Sequence, residues 1–301
     1  MRTNSSPKML ILAAVAAISM GTIGVISRLS GLDAATVTFF RLTIGGSLLL
    51  VMLLMTGQIE KIKVKPHPLM VINGAMLAGF MTLFIASLSY TSMLIAVMAL
   101  YLAPAVATVA AHFLLNEKLT TYSIISVLSV LLGFALVIYQ PNPIDTTETS
   151  WQGLALAIGG MICYASFILI NRKIPSHYHE FSKCSWQFLI GTLCVAPLLI
   201  NTELSLTFEQ WGWMLLVGLL PGFLGIVLAV YTLKHLPAAT FGTISYIEPI
   251  SAVILGWIVF AEVLSPLQLF GCTVIIAASM AQGIKPRNQS ATTGLNIRNN
   301  N

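Results

Sequence analysis

Residues Gly242 to Glu262 read G-T-I-S-Y-I-E-P-I-S-A-V-I-L-G-W-I-V-F-A-E, and this segment dictates the architecture. It is an apolar run of membrane-spanning length, yet it contains the carboxylate of Glu248 followed by Pro249. A charge at the bilayer centre costs about 2.5 to 3.5 kcal/mol on insertion scales, so such groups normally face a bundle interior or a wet cavity. Pro249 has no amide hydrogen and disrupts the bond that the carbonyl of Ser245 would otherwise receive. A broken helix beside an ionisable group is typical of a solute site within a membrane.

The composition is that of a protein embedded in lipid. Hydrophobic residues fill 57% of 301 positions and charged residues 8%, with a mean hydropathy of +0.89. A soluble domain carries about 25% charged residues. The formal charge of +5 does not predict a nucleic-acid partner, because the basic residues lie in short loops and make no patch. The four cysteines lie within predicted spans without C-x-x-C spacing, which favours packing residues over disulfides or metal ligands.

Apolar runs of about 20 residues, separated by polar or turn-rich breaks, predict ten transmembrane helices. The predicted spans are Lys8–Arg28, Ala35–Thr56, Pro68–Tyr90, Met93–Leu115, Thr121–Tyr139, Trp151–Asn171, Ser182–Ile200, Glu209–Lys234, Ala238–Ala261 and Pro266–Ile284. The first run is interpreted as a retained helix rather than a cleaved signal peptide, because further spans of the same kind follow it. The predicted fold is therefore an all-α membrane protein.

The distribution of basic residues predicts the orientation. If the N-terminus is cytoplasmic, all of the 15 basic residues except Arg28 and Arg41 lie on the cytoplasmic side. Arg28 then lies outside, and Arg41 lies within the second span. An excess of Lys and Arg in the inner loops is the usual signature of membrane orientation. The sequence thus predicts a multi-pass membrane protein with both termini in the cytoplasm.

The two halves of the chain repeat one another. A shift of 145 positions superposes Tyr101 on Tyr246, Pro104 on Pro249 and Glu117 on Glu262. Because five crossings are an odd number, the second half must enter the membrane upside down, which gives an inverted repeat. We expect a first five-helix repeat at 1–140, a linker at 141–150, a second, inverted five-helix repeat at 151–284 and a disordered cytoplasmic tail at 285–301.

Five motifs point to a known family. They are M-G-T-I-G-V-I-S-R at 20–28, F-F-R-L at 39–42, L-S-Y-T-S at 88–92, Y-L-A-P-A-V-A at 101–107 and L-L-N-E-K-L-T at 114–120. Together with the paired Pro-to-Glu spacing, they resemble the EamA family of the drug/metabolite transporter superfamily, over about residues 8 to 284. The resemblance implies two inverted five-helix halves that move small metabolites or drugs across the cytoplasmic membrane, often outward. One departure is Met20, where the family usually carries a tryptophan.

Glu248 and Arg41 are the charged site candidates. Ala103 occupies the position that matches Glu248 in the first half, so the repeat alone does not explain the acid. We predict that Glu248 binds substrate or a proton; the alternative is a structural hydrogen bond or ion pair inside the bundle. Arg41 lies about 10 Å deep at a rise of roughly 1.5 Å per residue. It either snorkels to the outer surface or pairs with Glu248 or with a substrate carboxylate.

The remaining site candidates are uncharged. Tyr101 and Tyr246 precede the two prolines by three residues and share their helix faces, so they are candidates for the cavity wall. Pro104 and Pro249 are expected to kink their helices and to free backbone carbonyls, including that of Ser245. Tyr164 in the sixth span and Gln187 in the seventh are candidate site residues because of their positions. Polar residues at such positions also hold helices together.

The function predicted from these features is secondary transport. The sequence has no Walker loop, G-x-S-x-G elbow or H-E-x-x-H motif, so we expect neither an enzyme nor a cofactor or metal site. The predicted carrier moves a small metabolite, first an amino acid or derivative, by alternating access as a proton-coupled exporter. The alternatives are an organic-cation or drug carrier and, in a different class, a non-transporting membrane scaffold. The sequence leaves the substrate, the coupling ion, the direction, and the choice between monomer and homodimer open.

The predicted topology can be tested by labelling single cysteines introduced at Lys61 and Glu148. With an odd number of spans between them, the two positions should react from opposite faces of the membrane. Impermeant thiol reagents applied to intact cells and to inverted vesicles measure this directly. Reaction of both positions from the same side would refute the topology.

Overall fold

A computed structural model describes residues 7–115, 119–139, 150–200, 202 and 205–284. Every regular element in these ranges is helical. The α-helices are α1 (Pro7–Gly21), α2 (Ile23–Ser30), α3 (Ala34–Met55), α4 (Pro68–Ser87), α5 (Met93–Leu100), α6 (Ala103–Leu115), α7 (Thr121–Ile138), α8 (Trp151–Lys173), α9 (Glu180–Val195), α10 (Phe208–Val217), α11 (Gly225–His235), α12 (Ala238–Ser245), α13 (Ile247–Phe260) and α14 (Pro266–Ile284). Turns of 3-10 helix lie at Ile59–Lys61 and Ala196–Leu199, and a π-helical segment, Gly218–Leu224, joins α10 to α11.

Within the described residues, 8 helical stretches are long and apolar enough to cross a membrane. They are Pro7–Ser30, Ala34–Met55, Pro68–Ser87, Met93–Leu115, Thr121–Ile138, Trp151–Lys173, Phe208–His235 and Thr240–Phe260. Two further helices, α9 with 16 residues and α14 with 19, lie in the predicted seventh and tenth spans. The prediction of an all-α membrane protein is confirmed at this level. Glu117, nearly all of the expected linker (141–149) and the expected tail (285–301) lie outside the described residues.

Four of the spans are interrupted near their middles. The break at Thr22 separates α1 from α2, and those at Tyr101 and Tyr246 separate α5 from α6 and α12 from α13. The last two breaks share one backbone conformation, with φ −74° and ψ −3° at Tyr101 and φ −72° and ψ −5° at Tyr246. Pro104 and Pro249 lie in the first turns of α6 and α13, where a missing amide hydrogen is tolerated. The predicted disruption at both prolines is therefore confirmed.

The fourth interruption is the π-helical segment, which contains Pro221. Proline inside a helix removes a hydrogen bond and displaces the preceding turn, and single π turns are a common response. The segment packs against α3 so closely that a Cβ on Gly45 would lie 2.8 Å from the carbonyl carbon of Gly222. Glycine at both positions lets the two backbones touch, as small residues do elsewhere in membrane bundles.

The bundle core is shared between the two halves of the chain. The helix α4 packs along α8 and α9, α7 packs along α14, α3 contacts α9 and the π-helical segment, and α1 contacts α11 and α13. Each of these pairs joins a helix before residue 140 to one after residue 150. The halves therefore interlock, and the interrupted spans meet in the middle of the bundle.

Candidate substrate cavity

A cavity of about 410 Å³ lies where the interrupted spans meet. Volumes of roughly 300–1,000 Å³ are usual for small-molecule sites. Its wall comes from α1 to α6, α8 and α11 to α13, whereas α7, α9, α10 and α14 contribute none of the lining residues. Most of the wall is apolar or aromatic. The polar side chains among the lining residues are Arg41, Tyr101, Tyr164, Ser245, Tyr246 and Glu248.

All six of these polar residues were predicted from the sequence, and Pro104 also lines the cavity. Two predicted residues are placed elsewhere. Pro249 is buried in the first turn of α13 beside the cavity but is not part of its wall. Gln187 is buried between helices, where its Nε2 donates to Asn171 Oδ1 at 3.2 Å and joins α9 to α8. For Gln187, the structure thus favours the role in helix packing over a place at the site.

Glu248 is the second residue of α13 and projects into the cavity just beyond the break at Tyr246. A carboxylate in the first turn of a helix is stabilised by the free amides and the dipole of that end. The hydroxyl of Tyr101 lies close to the Glu248 carboxyl. The backbone of α1 lies against that of α13 at Gly21, where a Cβ would be 2.8 Å from the carbonyl oxygen of Glu248. The close approach of α1 to α13 therefore positions the acid.

Arg41 is only 6% exposed and faces the cavity, so it does not snorkel to the membrane surface. Its Nη2 donates to the carbonyl oxygen of Pro221 at 3.3 Å and approaches the sulfur of Met20 at 3.9 Å. Its Nε is buried and has no hydrogen-bond partner in the described part of the chain. Among the described residues, Arg41 and Glu248 form no direct ion pair, although each lies within the electrostatic range of the other. The cavity thus presents one cation and one anion that do not neutralise each other by contact.

Pro221 and Met20 were missed as site residues. A proline between glycines in an apolar span, L-L-P-G-F-L-G at 219–225, was the available signal for a distorted helix. Nothing in that pattern indicates that the freed carbonyl accepts a hydrogen bond from an arginine 180 positions away in the sequence. Met20, the departure from the family's usual tryptophan, lies in the cavity wall against Arg41.

Aromatic rings form much of the remaining wall. Tyr164 packs against Phe80 with a centroid distance of 4.9 Å and against Phe167 at 6.3 Å. The repeat-related Tyr101 and Tyr246 face each other at 6.1 Å. Such rings attract cations through their faces and exclude water from apolar parts of a ligand. The wall therefore suits a ligand with a cationic group and a small apolar body.

An ion pair lies at the end of the cavity near Met93. Arg28 Nη1 and Glu262 Oε1 are 2.5 Å apart, and the two side chains are 19% and 9% exposed. Arg28 also donates from Nε to the carbonyl of Leu88 at 3.2 Å and from Nη2 to the carbonyl of Thr91 at 2.6 Å. Its guanidinium lies 5.1 Å from the ring centroid of Phe260. We refer to Arg28, Glu262 and these contacts as the clamp.

The carboxylate of the clamp also caps α5. Glu262 accepts hydrogen bonds from the backbone amides of Met93 at 2.9 Å and Leu94 at 3.4 Å, at the start of that helix. Free amides at a helix N-terminus favour an anion in this position. Met93 itself lines the cavity. The clamp thus ties α2 and α5 of the first half to the end of α13 in the second half, next to the cavity.

Comparison with known proteins identifies the family. A sequence profile described as the EamA-like transporter family matches residues 7–139 and 151–281. The chain belongs to the EamA-like transporter family. The resemblance predicted from the five motifs is confirmed, and with it the assignment to membrane transporters.

Curated EamA-family relatives match nearly the full chain. The threonine/homoserine exporter RhtA of Escherichia coli K12 is 29% identical over 97% of this chain and 96% of its own length. The pseudopaline exporter CntI of Pseudomonas aeruginosa is 22% identical over 83% of this chain and 86% of its own length. A solved crystal structure shares the fold, with a TM-score of 0.65 at 17% identity over 91% of this chain and 96% of the other.

Cysteine reactivity tests whether the cavity is wet. In a background lacking the four native cysteines, which are free thiols in the structure, Ser245→Cys should react with a small hydrophilic thiol reagent. Gln187→Cys, between α8 and α9, should react at least about tenfold more slowly, because its side chain is only 3% exposed. Mass spectrometry of purified protein measures both rates. Equal reactivity at the two positions would contradict the assignment of the cavity wall.

Proposed function

We propose that this protein is a secondary carrier that exports a small amino acid or amino-acid derivative across the bacterial inner membrane. One observation carries the proposal: Arg41 and Glu248 face the same cavity without forming a direct ion pair. Two unneutralised opposite charges in a cavity suit a ligand that carries both charges itself. A free amino acid has an ammonium and a carboxylate on one carbon atom.

Each charge suits one half of such a ligand. Planar guanidinium groups bind carboxylates through paired hydrogen bonds, and the Nε of Arg41 has no hydrogen-bond partner among the described residues. Glu248 lies close to Tyr101, and its carboxylate has acceptor capacity for an ammonium. Burial of both partners strengthens these bonds, because water does not compete for them. The site residues of the proposal are therefore Arg41, Glu248, Tyr101 and the surrounding aromatic wall.

The names of the relatives support this substrate class and the direction. RhtA is described as a threonine/homoserine exporter and CntI as a pseudopaline exporter. Both are exporters, and the RhtA substrates are small amino acids that match the charges of this cavity. Membership in a transporter family argues against the scaffold and enzyme alternatives.

An inverted repeat of two five-helix units accounts for the packing. The family profile covers two stretches, which fall within the proposed repeats at 1–140 and 151–284. The contact of α4 with α8 corresponds, in the other half, to the contact of α11 with α1. In the same way, the contact of α3 with the π-helical segment corresponds to the contact of α9 with α4. In this arrangement α9 with its 3-10 turn and α14 serve as the seventh and tenth spans. The contact of Tyr101 with its repeat partner Tyr246 supports a pseudo-two-fold axis beside the cavity.

Alternating access follows from this symmetry. Two similar units of opposite orientation can exchange conformations and so expose the cavity to either side. In the proposed orientation, the clamp lies on the outer side, because α2 ends and α5 begins there. The clamp joins the two halves next to Met93. Arg28 must therefore separate from Glu262 before the cavity opens to the outside. The clamp thus acts as the outer gate of the carrier.

Proton coupling is the proposed source of energy. A ligand ammonium and a proton would both bind to the carboxylate of Glu248. Binding of one therefore displaces the other. An exporter of this kind takes a proton from outside after the substrate has left. Exchange through a single carboxylate requires no further ion site, and among the described residues no cluster of three His, Cys, Asp or Glu side chains forms one.

A second candidate is an organic-cation or drug carrier. The aromatic faces of Phe80, Tyr101 and Tyr164 near Glu248 are the observation that favours it, because cations bind to such faces. Arg41 would then only support the π-helical segment through Pro221. Replacement of Arg41 distinguishes the two functions: cation transport would survive the loss of its charge, whereas amino-acid transport would not.

Proteoliposomes with purified protein test the proposed function. Wild-type protein should show saturable counterflow of threonine or homoserine, and Glu248→Gln and Arg41→Gln should each reduce it by at least about tenfold, because each leaves one ligand charge unpaired. Glu60→Gln is the matched control and should retain activity, because Glu60 is exposed and forms its ion pair with the exposed Lys63. Proton-driven accumulation should also disappear in Glu248→Gln. Wild-type rates in that variant would exclude Glu248 as the coupling group.

The gate can be tested with Glu262→Gln, which keeps a capping oxygen for Met93 but removes the ion pair with Arg28. The weakened clamp should expose the cavity to the outside more often, because the halves lose a buried charge pair. Labelling of Ser245→Cys by an impermeant reagent from the outer side should increase several-fold. Glu60→Gln again serves as the control, and unchanged labelling in Glu262→Gln would refute the gate.

A further inference from the structure

Three tyrosines line the cavity, and their rings pack differently. The rings of Tyr101 and Tyr246 face each other at 6.1 Å, whereas Tyr164 packs against Phe80 and Phe167. The hydroxyl of Tyr164 has no hydrogen-bond partner among the described residues, although its ring lines the cavity. A tyrosine hydroxyl in a largely apolar site normally finds a partner. The partner of Tyr164 must therefore come from the contents of the cavity.

The ring of Tyr164 is held in a fixed position. It packs between Phe80 of α4 and Phe167 one turn further along α8. The preceding residue, Cys163, contacts α4 so closely that its sulfur would lie 3.2 Å from a Cβ on Gly79. A rigid ring presents its hydroxyl at one place, which is a requirement for selection among ligands. Tyr164 is thus a preorganised polar group rather than a mobile one.

Tyr164 also lies within the electrostatic range of Glu248 and Tyr246. A ligand whose ammonium is bound by Glu248 therefore has its neighbouring atoms near this hydroxyl. In an amino acid, the side chain leaves the same carbon atom as the ammonium and the carboxylate. If those two groups are held by Glu248 and Arg41, the side chain is the part left to meet a third polar group.

We propose that Tyr164 determines specificity by forming a hydrogen bond with a hydroxyl on the side chain of the transported amino acid. The inference rests on the proposed function and deepens it, because it names the subclass of substrate: small hydroxylated amino acids. A site that hydrogen bonds a ligand hydroxyl rejects the analogue without it, since the protein group is then left unpaired.

The experiment compares isosteric ligand pairs. Each amino acid is tested as a competitor of counterflow in proteoliposomes, which gives its apparent affinity. The affinity for threonine is then compared with that for valine, and the affinity for homoserine with that for norvaline. Wild-type protein should favour the hydroxylated member of each pair by about 2- to 12-fold, the range of one net hydrogen bond. Tyr164→Phe keeps the ring and should bring both ratios close to 1, mainly by weakening the hydroxylated ligands. A thermal melt of each purified variant verifies that the fold is retained.

Tyr178→Phe is the matched control, because the hydroxyl that it removes donates to the carbonyl oxygen of Lys65 at 3.3 Å and the residue is not part of the cavity wall. Its ratios should remain those of the wild type. Unchanged ratios in Tyr164→Phe, or a wild-type protein without preference within the pairs, would overturn the role of Tyr164 but leave amino-acid transport intact. Failure of all four amino acids to compete in wild-type protein would overturn the proposed function and this inference together.

Discussion

The structure depends on the cost of placing unpaired polar groups inside a membrane. Every backbone amide and carbonyl in the hydrocarbon region needs a partner, so helix interruptions survive only where the chain lines a cavity or is buried in protein. Here the breaks at Thr22, Tyr101 and Tyr246 lie around one cavity, and the π-helical segment is joined to its wall by the hydrogen bond from Arg41 to Pro221. The same constraint keeps Arg41 and Glu248 away from lipid. The cavity is therefore the place where the fold can hold both distorted helices and charges.

Close helix contact and charge placement are coupled in this protein. Gly21 lets α1 approach the backbone of Glu248, and Gly45 and Gly222 let the π-helical segment approach α3. That second contact brings the carbonyl of Pro221 within reach of Arg41. Glycines that look like general packing residues thus set the positions of the two charges. Their effect on the site comes through the backbones that they bring together.

The spans, two of the helix breaks and the role of Glu248 could be predicted from the sequence, because each depends on a local sequence pattern. Apolar length predicts the spans, proline predicts the breaks at Tyr101 and Tyr246, and an isolated acid in an apolar run predicts a cavity-facing Glu248. Gln187 shows where position alone is insufficient. A polar residue in a span faces either a cavity or a neighbouring helix, and only the packing of α9 on α8 selects the second.

The sequence alone therefore determined that the chain spans a membrane, belongs with the EamA transporters and carries an acid that must avoid lipid. These properties follow from hydropathy, proline and motif spacing, which act over a few residues. The tertiary structure alone decided that Arg41 faces the cavity and donates to Pro221, and that Arg28 and Glu262 form an ion pair beside Met93. It also decided that the hydroxyl of Tyr164 has no hydrogen-bond partner among the described residues. Each of these depends on residues far apart in sequence whose distances are fixed only when the helices pack.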